Sequence, residues 1–191
     1  MSEDKNIKVA RLFGLEKKAR EARSQDELHF VIANETRQII NYISAFLLLK
    51  TPTDKFNVKA TSDLATVDRT SPLLTFVEKF VNNDKSLSHK EIQSLELDKI
   101  SKNINSEKPK NLPENILFIP IISPQKGLQG YLLLARSEKF LENEIELAGH
   151  LSSTYGHAFN SFLKDFSIKN HYKKYLTSKK SWKIYLAVFV I

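Results

Sequence analysis

The sequence contains no cysteine. That excludes a disulfide framework, a thiolate metal site, a cysteine nucleophile and a covalently attached bilin or haem. It agrees with a reducing compartment, where disulfides are rare. Glycine is scarce, with five in 191 residues. None of them builds a phosphate-cradling P-loop, a dinucleotide fingerprint or a Gly-x-Ser-x-Gly nucleophile elbow. The N-terminus lacks an apolar stretch: Met1-Ser-Glu-Asp-Lys-Asn carries acids, unlike a cleaved signal peptide. Acids are nearly missing from the other end. Residues 164–191 hold seven lysines against the single Asp165.

That last imbalance explains the formal net charge of +7. Removing the tail leaves 22 basic and 21 acidic residues in 1–163, a net of +1. The positive charge therefore belongs to the tail. Of the whole chain, 41% is hydrophobic and 27% charged, enough for one soluble domain with appendages.

Leu12, Leu15, Ala19 and Ala22 recur at helical spacing and predict a first helix over 7–23. Ser24-Gln-Asp-Glu27 reads as a capping box opening a second helix over about 25–40, with Leu28, Val31, Ile32 and Ile39 on one face. A buried strand follows at Tyr42–Lys50, then a turn at Thr51-Pro-Thr-Asp and a second strand at Phe56–Thr61. Ser71-Pro72 starts a helix with Leu73, Leu74, Phe76, Val77 and Phe80. Residues 82–113 are polar and read as a long crossover with one patterned piece near Ile92–Ile100. Ile116–Ile122 and Gly130–Arg136 are the clearest strands. A final helix over about 141–170 carries Ile145, Ala148, Leu151, Tyr155, Phe159, Phe162 and Phe166 on one face. This order predicts an α+β sheet with helices packed on it.

The C-terminal half runs Ile119-Pro-Ile-Ile, a turn, Gly127-Leu-Gln-Gly-Tyr-Leu-Leu-Leu-Ala-Arg, then Phe140-Leu-Glu-Asn-Glu-Ile-Glu-Leu-Ala-Gly-His-Leu. It resembles a GAF domain over about residues 20–165, with Leu141 where that family prefers threonine. The resemblance implies a central antiparallel sheet flanked by N- and C-terminal helices, and a regulatory or dimerisation module without catalysis. Leu28-His-Phe-Val-Ile-Ala-Asn-Glu-Thr-Arg-Gln-Ile-Ile and Val67-Asp-Arg-Thr-Ser-Pro resemble a narrower group. These are the cytoplasmic GAF-like segments preceding the transmembrane helix of bacterial HlyD-type membrane fusion proteins, the adaptors of efflux and secretion systems. The Cys-dependent relatives, and those with an Asn-Lys-x-Asp-like string, are not matched. No cofactor is expected.

The division expected is an N-terminal helix at 1–23, the GAF-like domain at 24–166, a basic juxtamembrane segment at 167–183, and the start of a transmembrane helix at 184–191. Lys173, Lys174, Tyr175, Lys179, Lys180, Trp182 and Lys183 are the membrane-interface candidates. Lysines attract anionic headgroups, and Trp and Tyr favour the interface. The apolar run Ile184–Ile191 has eight residues, against about 20 needed to span the hydrocarbon. Lysines on this side place the domain at the cytoplasmic face of a bacterial inner membrane. A basic-aromatic tail also suits nucleic acid, but the near-neutral domain speaks against that partner.

The candidate ligand site is Asp68, Arg69 and Ser71 before Pro72. A helix N-terminus offers free amides there, and Arg69 a fork for an anion. In GAF-like folds the corresponding helix borders the pocket, so Phe76, Phe80, Phe118 and Tyr131 are candidate lining. The plainer reading of all seven is a capped surface helix over an aromatic core. The histidines give no metal site: His150 and His157 share a helix face but sit roughly 10 Å apart along the axis. Self-association through the first and last helices completes the expectations.

Overall fold

The computed structural model describes residues 2–62, 67–83, 87, 90–97 and 109–177, with side chains described between residues 7 and 162. The elements are α1 (Ser2–Glu21), α2 (Gln25–Asn34), a 3-10 turn (Glu35–Gln38), β1 (Ser44–Lys50), β2 (Phe56–Thr61), α3 (Pro72–Asn83), β3 (Gln93–Glu96), β4 (Asn115–Ser123), β5 (Gly127–Arg136) and α4 (Glu142–Thr177). The strands form one sheet in the order β2-β1-β5-β4-β3, and every neighbouring pair is antiparallel. The expected α+β architecture is the one found.

Side-chain alternation along the central strands creates two apolar layers. Leu117, Ile119 and Ile121 of β4 and Leu132 and Leu134 of β5 face a core shared with α1, α2 and α4. Ile116 and Phe118, with Tyr131 and Leu133, face a second core under α3. Both faces of β4 and β5 are covered, so these strands read as continuous apolar runs rather than alternating ones. Each fully buried Leu, Ile or Phe contributes roughly 1.5–3 kcal/mol. α1 adds Leu15 and Ala19 to the first core.

α2 begins as its sequence directs. Ser24 Oγ accepts from Glu27 N at 3.1 Å, and the Glu27 carboxylate accepts from Arg23 N at 2.7 Å. It ends sooner than the expected residue 40. Tyr42 Oη donates to the Ala33 carbonyl at 2.7 Å, and the amides of Ile39 and Ile40 both turn back to Thr36 O at 3.0 Å. These contacts close the chain into a tight turn and delay the strand to Ser44. α1 starts earlier than expected, at Ser2, and the β4–β5 hairpin is longer at its turn, with Gly127 at φ 67°. The crossover contains β3, which pairs with residues 115–118 of β4 as an edge strand.

α4 lies close against β4. A β-carbon on Gly156 would stand 2.0 Å from the Ile122 carbonyl oxygen, so only glycine admits this approach. The helix start lacks a side-chain cap at Leu141. Instead Glu144 accepts from Leu141 N at 2.8 Å and holds Arg136 at 2.8 and 2.5 Å. Arg136 also donates to the carbonyls of Asn41, Glu138 and Lys139. At the opposite side of the sheet, α3 covers the β2 edge. Asn82 accepts from Phe56 N at 2.9 Å and donates to Phe56 O at 2.8 Å, while Glu78 accepts from Val58 N at 2.8 Å.

Candidate functional site

The start of α3 is organised by Asp68. Its carboxylate accepts from Thr70 N at 2.9 Å and Thr70 Oγ1 at 2.7 Å, and these bonds hold its pKa below the usual carboxylate range. Ser71 supplies the first helical acceptor, its carbonyl receiving Thr75 N at 3.1 Å. Arg69 does not pair with Asp68. Its guanidinium reaches Glu78 at 3.2 Å, the carboxylate that also holds Val58 N. An anion approaching Arg69 therefore competes with a carboxylate that has a second anchor.

The four aromatic candidates come together, but in the interior. Phe76, Phe80, Phe118 and Tyr131 are 2%, 1%, 0% and 1% exposed. Phe118 and Tyr131 stack with ring centroids 4.4 Å apart, and Phe56 lies 4.7 Å from Tyr131. Burial pushes the Tyr131 hydroxyl up to about 12, so it stays protonated. Asp68 and Arg69 are exposed and Ser71 half-buried. Among the membrane-interface candidates, Lys173, Lys174 and Tyr175 fall on the α4 backbone, while Lys179, Lys180, Trp182, Lys183 and the apolar run 184–191 lie outside the described residues. Among the described residues, no helix is long and apolar enough to cross a membrane, and no three His, Asp or Glu side chains gather to hold a metal ion.

A different place emerges between α2 and β2. A cleft of about 220 Å³ is lined by Asp26, His29, Phe30 and Asn34 of α2, by Lys59, Ala60 and Thr61 of β2, and by Val67. β2 reaches it through an irregularity: Leu47 pairs with Ala60 and Leu48 with Val58, so Lys59 is the extra residue of a bulge. His29 is 8% exposed and packs on Phe159 at 5.8 Å. Its Nε2 and the Thr61 Oγ1 are buried without hydrogen-bond partners among the described residues. Burial holds the His29 pKa below its ordinary value; Asp26 opposes that and Lys59 adds to it. Sequence reasoning had no partner for His29. The available signal was its place on the inward face of α2, beside Leu28 and three residues before Ile32.

No protein-family profile matches the sequence, and no curated protein matches it. Solved structures do share the fold. The GAF domain of a phosphoenolpyruvate-protein phosphotransferase from Acinetobacter superposes with a TM-score of 0.62 at 12% identity, covering 82% of this chain and 94% of that one. The GAF domain of a candidate sensor histidine kinase from Pseudomonas syringae pv. tomato gives 0.59 at 13% identity, covering 88% and 96%. The phytochrome photosensory core module of Stigmatella aurantiaca gives 0.58 at 12% identity; the match covers 81% of this chain and 36% of that one. The chain has the GAF-domain fold.

Proposed function

We propose that this chain is a non-catalytic regulatory and self-association module at the cytoplasmic face of a bacterial membrane, serving as the headpiece of a HlyD-type adaptor. The observation that carries the reading is the reach of α4. Its buried residues Ala148, Leu151 and Tyr155 hold it to the sheet, and its backbone continues to Thr177, directly before the lysine-rich, Trp182-containing stretch. A helix fixed to the domain at one end and to an anionic surface at the other transmits domain state to the membrane. The exposed Val9 and Phe13 of α1 supply apolar surface for pairing with a second copy.

Sedimentation with vesicles tests the membrane part. The chain is expected to pellet with phosphatidylglycerol vesicles and not with phosphatidylcholine ones. Replacing Lys173, Lys174, Lys179, Lys180 and Lys183 with glutamine should weaken binding at least about 100-fold, from roughly 1 kcal/mol per lysine near the surface. Equal pelleting of that variant, or none by the wild type, overturns the reading.

A second reading, a soluble sensor of a small anion at Arg69, draws on the half-exposed guanidinium at the start of α3. A ligand that raises the melting temperature of the wild type and not of Arg69→Ala supports it; equal shifts in both remove it.

A further inference from the structure

The α2–β2 cleft carries features that neither the fold nor the tail explains. Two of its lining residues, His29 and Thr61, each bury a polar atom that has no hydrogen bond among the described residues. A buried polar group left in this way costs about 1–3 kcal/mol, so a folded chain retains few of them. Among the described residues no hydrogen bond holds the imidazole: its Nδ1 is 3.9 Å from Asp26 Oδ1, too far for one. The ring is thus packed against Phe159 at the cleft wall with no hydrogen bond among the described residues to tether it.

The rim carries one charge of each sign. Asp26 is fully exposed and Lys59 is exposed. Both act on His29 through space with opposite effect, so both lie near the imidazole. Among the described residues Lys59 has no carboxylate within ion-pair distance. A cation and an anion kept apart across a cleft are complementary to a molecule carrying both charges. Phe30, 55% exposed, and the half-buried Val67 and Ala60 supply apolar surface between them. The volume is below the roughly 300 Å³ where sites for drug-sized ligands begin, which limits the occupant to amino-acid size.

We propose that the α2–β2 cleft is a binding site for a small zwitterion, a free α-amino acid with an apolar side chain. The ligand carboxylate meets Lys59, its ammonium meets Asp26, and its side chain lies on Phe30 and Val67. His29 and Asn34 complete the polar contacts. This site is separate from Arg69 and from the start of α3. It supplies the regulatory module with a ligand, and it stands or falls independently of membrane attachment.

Isothermal titration of the 191-residue chain with leucine tests it, alongside 4-methylpentanoate, which lacks the ammonium, and 3-methylbutylamine, which lacks the carboxylate. Leucine is expected to bind, with both single-charge analogues weaker by about fivefold or more. Asp26→Ala and Lys59→Ala alter exposed side chains and leave the core intact; each should weaken leucine binding by a similar factor. The His29 ring resonances should shift on leucine addition. Absence of heat and of resonance shifts up to about 20 mM leucine, a Kd too weak for function, means a cleft that holds water only and overturns the proposal. So does leucine binding that both variants leave unchanged. Vesicle sedimentation of Lys59→Ala separates the two readings, because the tail lysines are untouched.

Discussion

Replacing Gly156 with alanine should destabilise the protein, although the position is helical and alanine is the better helix former. The helix-propensity gain is about 1 kcal/mol. Against it stands the contact with β4, where the new methyl would meet the Ile122 carbonyl oxygen at 2.0 Å and its carbon at 2.6 Å. A methyl carbon and a carbonyl oxygen rest at about 3.3–3.6 Å. Relief thus requires α4 to retreat by about 1.3 Å, and the obstacle is backbone, which no rotamer change removes. Ala148, Leu151, Tyr155 and Ala158 sit on the same helix in the core, so the retreat loosens them as well. Overpacking costs about 1–3 kcal/mol, and a backbone clash lies at the upper end. The net loss is about 2 kcal/mol. With a urea slope of about 2 kcal/mol/M, the midpoint should fall by about 1 M, read by far-ultraviolet circular dichroism. Gly149→Ala is the internal control. Its methyl would meet only Ile92 Cδ1 at 3.8 Å, so the propensity gain survives and the midpoint rises. Finding Gly156→Ala as stable as the wild type, with Gly149→Ala stabilised, would refute the close-approach reasoning.

Three further outcomes are expected. Arg136→Met should cost about 3 kcal/mol in the same urea assay, because it strands Glu144 and three carbonyls at a guanidinium that is 8% exposed. Stability should fall as pH drops below 6.5: the folded-state pKa of His29 is lowered, so below that value the unfolded chain binds the extra proton. His29→Gln should flatten that part of the profile in urea midpoints measured from about pH 7.5 to 5.5. A separate loss should begin as pH falls below 4.5. Burial raises the pKa of Glu144, but its bonds to Arg136 and Leu141 outweigh this and leave it lowered, so folding there releases a proton that acid restores. The Arg136→Met variant should lack this second step.

Local chemistry was readable wherever it acts over a few residues. The Ser24–Glu27 capping box and the Ser71-Pro72 helix start appear at their expected residues, and β2 runs over Phe56–Thr61 as its alternation implies. What escaped depends on partners distant in the chain. α2 stops at Asn34 because of the Tyr42 hydroxyl and a turn at Thr36, which meets Tyr155 Oη at 2.6 Å across 119 residues. β3 has four residues, three of them polar, and acquires its identity only by pairing with β4. The aromatic candidates show the limit from the other side. Their spacing fits a pocket wall and a packed interior equally well, and exposure near zero places them in the interior. The α2–β2 cleft needed the fold most, since Asp26 and Lys59 stand 33 positions apart and neither is unusual in its own neighbourhood.

Glu78 and Asn82 have a consequence beyond the helix they belong to. Their side-chain oxygens and amide stand where the next strand's peptide groups would be, so part of the sheet's margin is already answered by an imitation neighbour. An extended peptide arriving at Phe56–Val58 finds the Phe56 amide and carbonyl and the Val58 amide already bonded, which disfavours edge-to-edge pairing of copies at that margin. Recognition along this stretch is thereby left to side chains, which discriminate between partners where a bare backbone would accept almost any.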